Sequence, residues 1–135
     1  MCLYKSCENT VDFRLNNLTN HSIKCYKFLT YRNGDVTSPY FGFYEWKIGM
    51  NESNRLSITE DINENYQEIN RGIHVYLNNN SLLIQHHKIL YPEDILVEVI
   101  CDIDDLVAID IYNTFAAFMK VFLPKEEYDK VKNSY

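Results

Sequence analysis

The chain is poor in the residues that loosen or interrupt a backbone, with four glycines, three prolines and three alanines in 135 residues. The four glycines lie too far apart to form a phosphate-cradling loop, which excludes the usual nucleotide-binding turns. Positive charge is scarce as well. Thirteen Lys and Arg face nineteen Asp and Glu, giving a net charge of -6, the wrong sign for a protein that wraps nucleic acid or lies on an anionic membrane. Apolar runs stay far below the roughly 20 residues that cross a bilayer. The start, Met1-Cys2-Leu3-Tyr4-Lys5, has no apolar signal core, so a reducing, cytoplasmic setting is expected. In that setting Cys2, Cys7, Cys25 and Cys101 are free thiols. A nucleophile elbow around a serine is also lacking.

What is plentiful is asparagine (15), isoleucine (13), tyrosine (11), lysine (9) and phenylalanine (7). All are encoded by AT-rich codons, which points to an AT-rich genome such as that of a low-GC bacterium, its phages or a large DNA virus.

The pattern predicts an α+β fold, a single domain over residues 23–135 preceded by an N-terminal arm or loop over 1–22 with a short strand near Val11–Leu15. The segment Ile23–Tyr31 alternates and is rich in aromatic and β-branched residues, as a strand should be. Asn33-Gly34 follows, a pair that accepts the positive φ of a two-residue hairpin turn. Phe41–Gly49 reads as a strand ended by Gly49, with residues 50–56 a loop. Ser57 and Glu60 match a capping box, and Ile58, Ile62, Tyr66 and Ile69 recur at helical spacing, predicting a helix over 59–69. Ile73–Leu77 reads as a strand, and Asn80 or Ser81 caps a helix that runs to about Leu90 and that Tyr91-Pro92 stops. Ile95–Cys101 is a central strand, Leu106–Ile111 and Phe115–Leu123 two more, and Lys125–Lys132 a closing helix. The sum is a mostly antiparallel sheet of five to six strands with two to three short helices.

Chemistry is carried by few residues. His74 and Tyr76 share one face of their strand, with Ile73, Val75 and Leu77 on the other. With Arg71 before them and Tyr26 on a neighbouring strand, they form a candidate ligand face for a small nucleotide-like molecule. Tyr40, Phe41, Phe43, Tyr44 and Trp46 crowd seven positions. Such a cluster makes a core wall, a stacking platform or a protein-binding patch; with only Lys47 nearby, direct nucleic-acid binding is not expected. His86 and His87 diverge by about 100° on a helix and cannot share a metal. Asp102, Asp104 and Asp105 superficially suggest a calcium loop, yet the turn glycine and the closing glutamate are missing. A Cys101–His74 dyad is conceivable, although an apolar strand disfavours the thiolate. No catalytic residue, metal ligand or cofactor is assigned.

Two resemblances follow from the order of motifs. Tyr26-Lys27, Trp46-Lys47-Ile48-Gly49, Gly72-Ile73-His74-Val75, Val97-Glu98-Val99, Val107 and Lys120-Val121 resemble a small uncharacterised domain recurring in bacteriophage and large DNA virus proteins. It implies a viral protein without a known activity. The same order is similar to the core of the ADP-ribosyltransferase superfamily. Tyr26-Lys27 would stand at the first site and Gly72-Ile73-His74-Val75 at the second, with His74 in place of Tyr. Phe115–Leu123, where the third site's catalytic Glu would stand, contains no carboxylate, so the resemblance implies a cleft without its chemistry. The resulting expectation is a small non-enzymatic interaction protein acting on a host protein, with no membrane role. Its alternatives are sequestration of a nucleotide-like ligand or an ADP-ribosyltransferase-like enzyme.

Overall fold

The structure is a computed structural model and describes residues 4–39, 45–53 and 72–134. In chain order these form β1 (Lys5–Ser6), α1 (Cys7–Asn16), β2 (Ser22–Arg32), β3 (Asp35–Thr37), β4 (Gly49–Glu52), β5 (Ile73–Tyr76), α2 (Leu82–Leu90), β6 (Ile95–Asp102), a 3-10 turn (Ile103–Asp105), β7 (Leu106–Asp110), β8 (Phe115–Phe118), β9 (Lys120–Leu123) and α3 (Lys125–Lys132). The strands run in the order β1-β7-β8-β5-β2-β6-β9-β4, with β3 hairpinned onto β2, and every pairing is antiparallel. The α+β class and the antiparallel sheet are as expected. The strand count is higher than the expected five to six: nine strands are present among the described residues.

The backbone of the sheet is β2 against β6, eight consecutive register pairs from Ser22↔Asp102 to Leu29↔Ile95. Alternation sorts both strands into two faces. Cys25, Leu29, Val97, Val99 and Cys101 enter the larger core, where Trp46, Val36, Phe118, Val121, Leu123 and α3's Val131 meet them. Phe28 enters a second core on the opposite face with Tyr76, Phe115, Ala108, Ala117 and α2's Ile84. The β2–β3 turn is the expected one: Asn33 has φ 52° and Gly34 φ 88°, as a two-residue hairpin of this hand requires.

Four expectations need correction. Residues 7–16 form a helix rather than a loop with a strand over 11–15. Ser6 Oγ caps it by accepting from Asn9 N, and polar side chains tie it to β7: Asn9 Nδ2 donates to Asp110 O, Arg14 Nη2 to Leu106 O, and Ile109 N to Thr10 Oγ1. Only Phe13 packs on the core from this helix, so apolar periodicity never announced it. Gly49 begins a strand instead of ending one, because Gly49–Glu52 pairs with β9. Phe115–Leu123 is two strands divided at Met119: the first half pairs with β5 and β7, the second with β4 and β6. On β6, both faces were expected to be buried; Val97, Val99 and Cys101 are, whereas Leu96 and Ile100 are only half-buried. The helix expected over 59–69 lies outside the described residues.

That division at Met119 reflects the shape of the sheet. The half β1-β7-β8-β5 and the half β2-β6-β9-β4 share one register pair among the described residues, Tyr26↔Tyr76. The extended run 115–123 passes from one half to the other and braces them. Gly72 stands where this crossing is tightest. Its φ is +86°, and a Cβ there would sit 3.1 Å from Phe118 O and 3.2 Å from Val107 Cγ2, so only glycine meets both demands.

Candidate functional site

The expected ligand face is partly assembled. Tyr26 and Tyr76 are direct cross-strand partners, and His74 lies two residues along β5 on the same face. Arg71 lies outside the described residues. The face is not open, however. Tyr76 is 8% exposed, its ring 4.5 Å from Phe115 and edge-on to Phe28, beneath α2. His74 and Tyr26 stay half-buried.

On the other side of the same junction stands a residue that sequence reading passed over. Lys27 follows Cys25 and precedes Leu29 on the apolar face of β2, and its Nζ donates to His74 O at 2.9 Å. Because β2 and β5 part after Tyr26↔Tyr76, the amine reaches across the gap where a ladder hydrogen bond would have formed. Burial pushes the Lys27 amine down to about 8 from its ordinary 10.5, since a charged ammonium loses solvation there. A lysine in the alternation Cys25-Lys27-Leu29 was the available signal.

Helix α2 owes its position to a second pair that was missed. His87 Nε2 meets Asp94 Oδ2 at 2.7 Å, both side chains about 95% buried. The imidazole stacks on Phe28 at 3.8 Å, nearly parallel, and Tyr91 N donates to His87 O to close the helix. The Ser81 cap accepts from Ile84 N. Ile84 and His87 therefore define the inward side of α2. His86, as expected, points elsewhere.

The outward side of α2 is apolar too. Leu82 is 87% exposed and Ile89 77%, with Leu83, Leu90 and Tyr91 also exposed. At 100° per residue, Ile89, Leu82, His86, Leu90 and Leu83 fall in one arc of about 120° opposite Ile84 and His87. Gln85 and Lys88 lie outside that arc. An amphipathic helix turns one apolar stripe to the core and a polar face to solvent; this one keeps a polar stripe only at Gln85 and Lys88 and exposes a second apolar stripe. The sequence offered the aromatic cluster as the partner-binding patch, with a core wall and a stacking platform as its alternatives. Tyr40, Phe41, Phe43 and Tyr44 lie outside the described residues. Trp46 is corrected to the core: it is 1% exposed, and its indole Nε1 donates to Ser38 Oγ at 2.8 Å, so it cannot meet a partner.

Three further groups bear on chemistry. His21, Asp102 and Asp104 hold ligand atoms within 4.8 Å of one another, all exposed. Beside them burial, then repulsion from Asp102 and Asp104, raises the Asp105 carboxyl, while Lys120 acts in the opposite direction. The Asp102–Asp105 segment is a 3-10 turn between β6 and β7, capped by Asp102 Oδ1 accepting from Asp104 N. Cys25 and Cys101 are free, buried and hydrogen-bonded to each other, which together with burial drives the Cys101 thiol far above its ordinary range. Cys101 and His74 lie on opposite faces of the sheet, which removes the dyad.

No protein-family model matches the chain, and neither a curated protein nor a solved structure matches it. No helix among the described residues is long and apolar enough to cross a membrane.

Proposed function

We propose that this chain is a non-enzymatic interaction protein that meets a protein partner through the outward face of α2. One observation carries the reading: a helix pinned inward by Ile84 and the His87–Asp94 pair still presents four exposed aliphatic side chains in a single arc. Ordered helices that display apolar residues at this spacing serve as anchors for a complementary groove. Large contiguous apolar patches on soluble proteins mark interaction sites. The partner suited to this face is apolar at its centre and tolerates a cation at its margin, because Lys88 is the only formally charged side chain in α2. The test is quantitative capture from the cells that express the chain, wild type against a Leu82→Glu/Ile89→Glu variant. Loss of a partner from the variant, at unchanged thermal stability, supports the reading; identical capture by both proteins removes it.

A second reading is favoured by Lys27. The order β8-β5-β2 sets side by side the three strands that the ADP-ribosyltransferase resemblance uses, and the lysine stands at their junction. A buried ammonium is stabilised by an anionic, nucleotide-like ligand that restores the charge compensation lost with solvent. β8 reads Phe-Ala-Ala-Phe and offers no carboxylate to activate an acceptor, so the reading is sequestration without transfer. Equilibrium dialysis against labelled NAD and ADP-ribose tests it. Binding that Lys27→Met abolishes supports it, and absence of binding by the wild type ends it.

A further inference from the structure

From the arrangement of side chains on α2 we infer that the partner it meets is a second copy of this chain, docked antiparallel about a two-fold axis at His86. The inference rests on the reading of α2 as the interaction face. The aliphatic residues of the outward arc are placed symmetrically about that histidine. Leu82 and Leu90 lie equally far from His86, and so do Leu83 and Ile89. In an antiparallel pair centred on His86, Leu82 of one copy meets Leu90 of the other, Leu83 meets Ile89, and His86 meets its own equivalent. Each contact is then made twice, which is the defining property of a two-fold interface. All five residues occupy the same outward arc, so the match needs no rotation of the helix.

Charge agrees with self-association. α2 carries no acidic residue, and Lys88 falls outside the arc, so bringing two copies together opposes no like charges at the centre. This matters in a chain of net charge -6, for which most self-contacts would juxtapose carboxylates. Area agrees as well. Exposures of 87% for Leu82, 43% for Leu83, 77% for Ile89 and 54% for Leu90 leave roughly 500 Å² of mostly apolar surface per copy, the greater part of the ~800 Å² per partner in a standard interface. A polar rim around the helix supplies the remainder.

Sedimentation equilibrium of the full chain, from low micromolar to millimolar concentration, reads the association. The expected result is a dimer that Leu82→Glu/Ile89→Glu weakens more than a hundredfold. The milder pair Leu82→Ser/Ile89→Ser guards against a folding artefact and should weaken it at least tenfold with the circular dichroism spectrum unchanged. Under mild oxidation a His86→Cys chain should cross-link to itself above the wild-type background, as a residue on the axis must, while Asp35→Cys in the distant hairpin should not. A monomer throughout, or a dimer that ignores both substitutions, overturns the inference. Failure of the dimer is distinguishable from failure of the interaction face. A monomer whose glutamate variant still loses a captured partner removes the dimer and keeps the face; a monomer whose capture is also unaffected removes both.

Discussion

Replacing Lys27 with methionine should make the protein more stable. The amine lies among the apolar residues of β2's inner face, and burial lowers it from 10.5 to about 8. A tenfold change in proton affinity corresponds to about 1.36 kcal/mol, so holding the ammonium there at neutral pH costs about 3 kcal/mol, less what its residual exposure to solvent returns. The hydrogen bond to His74 O offsets about 1 kcal/mol. Methionine keeps the length and volume and carries no charge, so Lys27→Met should gain about 1–2 kcal/mol at pH 7. The pH dependence has a definite sign. A lysine whose folded pKa is lowered is protonated more in the unfolded chain, so wild-type stability rises with pH through the window from about 8 to about 10.5. The advantage of methionine should therefore be full below pH 8, fall across that window and reverse above it, where the neutral lysine keeps only its hydrogen bond to His74 O. Urea unfolding followed by the fluorescence of Trp46, the one tryptophan and a core residue, gives both numbers. A variant less stable than wild type at pH 7, or an advantage that does not change with pH, would refute the reasoning. A stabilising replacement would also mean that the lysine is kept at a cost, which is the signature of a functional position.

Other substitutions probe the frame. His87→Ala leaves Asp94 buried without its partner and should cost about 3–5 kcal/mol, read by chemical denaturation; a cost below about 1 kcal/mol would show that the pair does not hold α2. Val99→Ala, at a fully buried position, should cost about 1–3 kcal/mol through lost burial and the cavity left behind, and a change near zero would contradict the central place of β6. Gly34→Val forces a β-branched residue to φ +88° and should lower Tm by several degrees, with an unchanged Tm refuting the turn.

The parts of the fold that were legible in the sequence are those written in local patterns. The Asn33-Gly34 turn, the Ser81 cap and Pro92 stop of α2, and the apolar run of β6 each carry their own signal. The faces of β5 were legible too, since alternation alone separates His74 and Tyr76 from Ile73 and Val75. What covers a face is not written locally. Tyr76 looked available for a ligand, and the structure lays α2 over it, because Ile84 and His87 form the inward side of that helix. α1 was illegible for a different reason: its bonds to β7 run from Asn9, Thr10 and Arg14 to backbone groups about ninety to a hundred residues away. The break at Met119 left no trace because the run 115–123 is apolar nearly throughout, although the residues that enter the larger core change phase there, from Ala116 and Phe118 to Val121 and Leu123. Lys27 and the outward leucines of α2 were visible as anomalies, a charge on an apolar face and a helix with more aliphatic residues than one buried stripe needs, and became informative only once their surroundings were known.

The central claim is that the outward face of α2 meets another protein chain, and site-specific photo-crosslinking tests it where the protein works. A photoreactive amino acid placed at His86, in the middle of the exposed arc, should give a discrete higher-mass adduct in the expressing cell. The same group at Asp35, at the exposed start of β3, should give none. No adduct from position 86, or equal adducts from both positions, would contradict the account.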